Sequence, residues 1–247
     1  MSLAVNHSSF AYHNSKALAL DDFSYTFVPG VFYGIFGANG SGKSTLLKLL
    51  AGDIAGDSSV MLDDRPLRQI PHLECARLIA YAAQEEELPL PFTVEECIAL
   101  GRYAWPDEDP TLIDQLLKTW NAEYLRGKSF TGLSGGERQK VKLLRILAQN
   151  TRYILLDEPA SSLDFAKQLE LYENLQQIAH RENKAVIMVC HDLYIAPAFI
   201  DEMLLMQKGQ LVYSGNPDTQ QAASTTAQAF DRNFKISRSI GKVEISW

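Results

Sequence analysis

The sequence predicts an α/β domain: a mainly parallel sheet whose strands alternate with helices, interrupted by a helical insertion. Three observations carry this expectation. An apolar run at residues 31–36 leads straight into a glycine-rich segment, GANGSGKST (37–45), and then into Leu46, Leu47, Leu49 and Leu50 at helical spacing. Two further continuous apolar runs, 153–156 and 186–189, read as buried parallel strands, with an amphipathic helical pattern (Leu171, Leu175, Ile178, Ala179) between them. Residues 85–150 break the alternation, with Pro89, Pro91, Pro106 and Pro110 set among segments of helical periodicity at 94–100, 112–120 and 137–148.

Taken in order, residues 3–5, 10–12 and 23–28 are expected as short strands, the last closing at Pro29-Gly30. The alternation of Phe23, Tyr25 and Phe27 supports extended structure there. After the 31–36 strand and its helix, 60–62 and 78–82 are further strand candidates. Residues 218–247, beyond Gly215-Asn216-Pro217, are polar and weakly patterned. No internal repeat is visible. One domain over 1–217 is expected, its core at 1–84 and 151–217 and its helical subdomain at 85–150, with a tail at 218–247.

Composition narrows the functional classes. The 247 residues are 46% hydrophobic, enough for a real core. The longest apolar stretches run to a handful of residues, far short of the roughly 18–20 that span a bilayer. The N-terminus MSLAVNHSSF lacks a basic segment followed by an apolar run, so no secretory signal is expected. Three dispersed cysteines, Cys75, Cys97 and Cys190, and five scattered histidines suit reduced thiols and argue against a structural zinc site. A net charge of −7 without a basic stripe makes nucleic acid a poor partner.

Chemistry concentrates in three segments. Gly37, Ala38, Asn39, Gly40, Ser41, Gly42, Lys43, Ser44 and Thr45 satisfy GxxxxGK[ST]. In such a loop the glycines let successive N–H groups converge on phosphates at the start of a helix. Lys43 supplies a point charge to the β- and γ-phosphates, and the Ser44 hydroxyl ligates Mg²⁺. A plain Gly/Ser turn entering a helix is the competing reading; the strand before and the helix after favour the phosphate loop.

The second segment, ILLDEP (154–159), puts Asp157 at a strand end, where a carboxylate can hold Mg²⁺ through water. Glu158 beside it is the candidate general base for an attacking water, and the alternative is an acidic pair that caps a helix. The third segment, LSGGE (133–137), reads as a capping box of Ser134 and Glu137. Its two glycines, Gly135 and Gly136, each cost a helix about 1 kcal/mol. They make sense where backbone must approach an anion closely.

With these segments in this order, and CHD (190–192) after the 185–190 run, the chain resembles ATP-binding cassette (ABC) ATPases over residues 3–217. The resemblance implies a P-loop NTPase (RecA-like) core with a mainly parallel sheet, an N-terminal antiparallel β subdomain and a helical insertion. It implies ATP and Mg²⁺ as cofactors. It also implies a head-to-tail dimer, with the P-loop of one copy and Ser134, Gly135, Gly136 and Glu137 of the other enclosing each ATP. Carried over residue by residue, Tyr12 matches the aromatic that stacks on adenine, although a core strand tyrosine would look the same. Gln84 matches the glutamine that contacts Mg²⁺ or the water, residues 161–164 match the loop that crosses the dimer interface, and His191 matches the histidine that senses the γ-phosphate. Ala38 and Ala160 depart from the common proline and threonine at positions that supply no catalytic group.

Residues 99–105, ALGRYAW, resemble a stretch in cassettes that serve importers of iron-siderophore, haem and cobalamin, with Ala104 in place of the usual proline. Leu147-Ala148-Gln149, Leu163-Asp164 followed by Ala166 and Gln168, and His191-Asp192-Leu193 also resemble that group. The resemblance implies separate integral membrane permease subunits, a substrate-binding protein acting indirectly, and a peripheral position on the cytoplasmic face of the inner membrane. The rival is a soluble ABC-type ATPase such as that of iron–sulfur cluster assembly, against which residues 101–105 argue. A P-loop kinase or GTPase would lack LSGGE and the histidine.

Overall fold

The structure, a computed structural model, describes residues 2–13, 17–54, 60–84, 92–106, 110–161, 163–230, 235–239 and 242–246. In chain order the strands and helices are β1 (Leu3–Phe10), β2 (Leu20–Phe27), β3 (Phe32–Phe36), α1 (Lys43–Ala51), β4 (Val60–Leu62), β5 (Arg65–Pro66), α2 (His72–Ala76) and β6 (Ile79–Ala82). The insertion follows, with α3 (Val94–Ala99), α4 (Pro110–Thr119) and α5 (Gly135–Ala148). The chain then returns through β7 (Tyr153–Asp157), α6 (Phe165–Arg181), β8 (Ala185–Val189), β9 (Glu202–Gln207) and β10 (Gln210–Gly215), and ends with α7 (Gln220–Ala229), β11 (Lys235–Ser239) and β12 (Lys242–Ser246).

The main sheet has the order β10-β9-β3-β8-β7-β6, parallel throughout except for the β9–β10 hairpin. Both faces are covered, which explains the unbroken apolar runs. Successive residues alternate between two cores. On β3, Phe32 and Phe36 enter one cluster while Tyr33 and Ile35 enter the other; on β7, Ile154 and Leu156 face Tyr153 and Leu155 in the same way. The helical insertion, α6 and α7 build the first cluster. The second is formed by α1 and by the four-stranded antiparallel sheet β2-β1-β4-β5.

Some elements differ from the expectation. Residues 3–5 and 10 belong to one strand, β1, whose register against β2 shifts around Ser8. His7 and Asp22 take φ of 49° and 50° there, and the ladder break hides the strand's periodicity. Tyr12 lies beyond the strand end. The hairpin β9–β10 is absent from the expected strands, although its run Met203, Leu204, Leu205, Met206 is fully buried. The weakly patterned tail holds α7, which packs on β9 and β10 through small residues such as Ala222 and Thr226. Pro89, Pro91 and Ser162 fall outside the described residues.

Candidate functional site

Parallel neighbours end on the same edge of a sheet, and a crevice outside those carboxyl ends is where α/β folds place ligands. Here β3 runs into residues 37–45, β6 into Gln84, β7 into Asp157 and Glu158, and β8 into Cys190 and His191. Segments far apart in sequence thereby line one cleft of about 710 Å³, bordered by Tyr12, Asn39, Gly40, Gly42, Lys43, Ser44, Thr45, Gln84, Glu158 and His191.

The glycine-rich loop is constrained by close approach. Gly42 has φ of 102°, and a Cβ there would sit 2.1 Å from the Ala19 carbonyl oxygen, so no larger residue fits. The loop caps α1, whose first turn carries no acidic side chain, leaving its amides and dipole free for an anion. Lys43 Nζ donates to the carbonyls of Gly37 (2.9 Å) and Ala38 (3.1 Å), closing the loop across its mouth. The side chain is 5% exposed. Burial pulls its pKa below the ordinary lysine value, while Glu158 and Asp157 draw it back up. Ser41 Oγ is buried without a hydrogen-bond partner among the described residues, a polar atom left over for a ligand.

Ser44 Oγ donates to Asp157 Oδ1 at 3.1 Å. Asp157 is buried, and this raises its carboxyl above the usual range against the Ser44 hydrogen bond; the charge of Glu158 raises it further, and Lys43 lowers it. Among the described residues no group of three or more His, Cys, Asp or Glu side chains could hold a metal alone. The Ser44–Asp157 pair therefore suits a hard cation that takes its other ligands from phosphate and water, the habit of Mg²⁺.

Glu158 stands just past the end of β7 with φ of 53°, a left-handed backbone that turns its carboxylate into the cleft. Gln84 Nε2 donates to Glu158 Oε2 at 2.8 Å, and His191 Nε2 meets Glu158 Oε1. A carboxylate gripped from both sides is held in one orientation, as a base that aims a water must be. Tyr12 presents its ring at the cleft's rim, 43% exposed, with its hydroxyl 3.3 Å from Thr45 Oγ1 and its edge packed at 87° to Phe10.

The signature segment, Ser134, Gly135, Gly136 and Glu137 of LSGGE, lies elsewhere. Ser134 caps α5 in a reciprocal box with Glu137, as the sequence suggests. These residues line a second, separate cleft of about 320 Å³ with Trp120, Lys140, Pro159 and Leu163. A Cβ on Gly135 or Gly136 would meet nothing within 4 Å, so no packing among the described residues calls for glycine there. Sequence reasoning missed Ala17, Leu18 and Ala19, which form one wall of the first cleft, because a short apolar loop carries no periodic signal.

A family model described as ABC transporter matches residues 20–161. The chain is 36% identical over 211 residues to the hemin import ATP-binding protein HmuV of Bordetella pertussis, covering 80% of each. Its match to the protein of that name in Rhodopseudomonas palustris is 36% over 224 residues, 87% of this chain and 83% of that one. Among solved structures, cbiO1 of Clostridium perfringens, part of an ABC transporter complex, superposes with a TM-score of 0.77 at 23% identity over 92% of both chains. A dimeric ATP-binding cassette in a post-hydrolysis state with ADP and Pi gives a TM-score of 0.77 at 22% identity, covering 89% of this chain and all of that one. A match over more than half of its length and relatives above one-third identity place the chain in the ABC transporter family, as an ATP-binding cassette.

Proposed function

We propose that the chain hydrolyses ATP to energise uptake of a haem, iron-siderophore or cobalamin-type substrate through separate membrane permease subunits. The observation that carries the hydrolytic part is the Glu158 carboxylate, fixed between Gln84 and His191 in the cleft that also holds Lys43. Haem-type cargo is supported by relatives named for hemin import and by residues 101–105.

In this reading residues 37–45 wrap the phosphates with backbone amides, and Lys43 places its charge against the β- and γ-phosphoryl oxygens. Tyr12 offers its ring face to the adenine. Ser44 and Asp157 would hold Mg²⁺, with Gln84 beside it, and the bound ion would supply charge neutralisation at the phosphates. Glu158 accepts the proton of the attacking water, and His191 keeps that carboxylate aligned and contacts the γ-phosphoryl oxygens. Ser134, Gly135, Gly136 and Glu137 close over ATP held by a second copy, which accounts for the place of Ser134, Gly136 and Glu137 in a different cleft.

Among the described residues no helix is long and apolar enough to cross a membrane. In this reading the cassette works as a peripheral subunit on the cytoplasmic face of the inner membrane, docked to a permease that receives cargo from a substrate-binding protein. Glu158→Gln keeps the hydrogen-bonding shape and loses the base. ATP turnover should fall by about 10²-fold or more while ATP binding persists; turnover at the wild-type rate removes Glu158 from the role. Transport is tested by co-purifying the chain with its permease from membranes and measuring ATPase stimulation by haem-loaded receptor in proteoliposomes. Recovery only in the soluble fraction would contradict the importer assignment.

A further inference from the structure

We propose that Gln139 is a positioning residue that couples the two ATP sites of the dimer, an inference resting on the dimer reading above. Gln139 lies on α5, just beyond the capping box of Ser134 and Glu137. Its Nε2 donates to the carbonyl oxygen of Pro159 at 3.3 Å. Pro159 directly follows Glu158, so one side-chain amide joins the helix that carries the signature glycines to the segment that carries the base.

That segment needs external support. Glu158 holds a left-handed φ of 53°, a conformation that few non-glycine residues keep unaided. Its carbonyl accepts from the Ser161 amide (3.3 Å) and hydroxyl (3.1 Å). On the far side, Gln168 Nε2 of α6 donates to the carbonyls of Ala160 (3.2 Å) and Leu163 (3.1 Å). Gln168 ties the loop to the helix that follows it in sequence. Gln139 reaches it from the insertion, twenty residues away.

The geometry gives these two holds different consequences. In the dimer proposed above, the N-terminus of α5 would face ATP bound by the partner copy and Glu158 would face ATP bound by its own copy; within one chain the two line separate clefts. A helix moves as a rod, so a shift of Gly135 and Gly136 toward a phosphate carries Gln139 and, through its amide, the Pro159 carbonyl. Occupancy of one site thus sets the Glu158 carboxylate in the other. Coupling of this kind is worth a factor of about 5 to 150 in proteins.

The test compares ATP hydrolysis against ATP concentration with equilibrium binding of a fluorescent ATP analogue, on the full chain. Wild type should hydrolyse with a Hill coefficient of about 2, the number of coupled sites. Gln139→Glu is isosteric but turns an acceptor toward the Pro159 carbonyl. Its Hill coefficient should fall to about 1 and its kcat by on the order of tenfold, with analogue affinity unchanged. Gln139→Lys restores an N–H donor and should recover cooperativity. Gln168→Glu loosens the same loop without touching α5, and should lower kcat while the Hill coefficient stays.

A non-cooperative wild type, a cooperative Gln139→Glu, or loss of cooperativity in Gln168→Glu as well would each overturn the assignment. If Gln139→Glu fails to fold, Gln139→Met, which keeps the length and lacks the donor, is read in its place. A wild-type chain that hydrolyses no ATP would instead refute the proposed function itself.

Discussion

At Lys43 the glycine-rich loop works against the stability of the fold. Lys43 is 5% exposed, and burial holds its pKa below the ordinary lysine value. Below the folded-state pKa both folded and unfolded chains carry the proton, and the burial penalty is present in full. Between the folded and unfolded values the unfolded chain binds more protons, so stability rises with pH through that window and the penalty disappears above it. Lys43→Met removes the buried charge and keeps the stem. It should stabilise the nucleotide-free chain by about 1 kcal/mol, or raise Tm by roughly 2–4 °C, while abolishing the further rise that ATP gives wild type. Differential scanning fluorimetry with and without ATP reads both effects. Side-chain identities at this scale are legible in the sequence, since GxxxxGK[ST] names Lys43 and Ser44 outright. The left-handed backbone of Glu158 and the amide grip of Gln139 are not, because each depends on a loop conformation set by distant helices.

Among the elements, residues 101–105 act as a clasp between the insertion and the core. Trp105 Nε1 donates to the Gln149 carbonyl at 2.7 Å, and Gln149 Nε2 donates to the carbonyls of Ala76 (2.6 Å) and Ile79 (3.0 Å). The guanidinium groups of Arg102 and Arg77 lie 5.0 and 5.7 Å from the Trp105 ring centroid. Gly101 allows this packing, because a Cβ there would sit 2.0 Å from the Arg145 carbonyl oxygen on α5. Gly101→Ala must displace backbone and should destabilise the chain by about 1–3 kcal/mol, measured by urea unfolding. Strands with two buried faces were readable from their unbroken apolar runs, and the strand–loop–helix unit from the glycine-rich pattern between such a run and leucines at helical spacing. The β9–β10 hairpin escaped although its apolar run and Lys208-Gly209 turn were available as signals, and α7 escaped because Ala222 and Thr226 bury too little apolar surface to mark a stripe.

For the whole molecule, the separation of the two clefts is what matters. The two helix starts proposed to bind anions, those of α1 and α5, are directed by the fold to different clefts instead of being joined. Nothing in the sequence dictates that separation; it follows from placing the insertion on one face of the sheet and α1 on the other. Gly135 and Gly136 have open space where a Cβ would stand, and the proposed second copy would account for them. Sedimentation velocity of Glu158→Gln with MgATP tests this most directly, with Ser134→Arg added as a block at the signature. Glu158→Gln should sediment as a dimer only with ATP, and the doubly substituted chain should stay monomeric while binding ATP as before. A dimer that survives Ser134→Arg, or a wild-type monomer that turns over ATP at full rate, would contradict a site completed by the second copy.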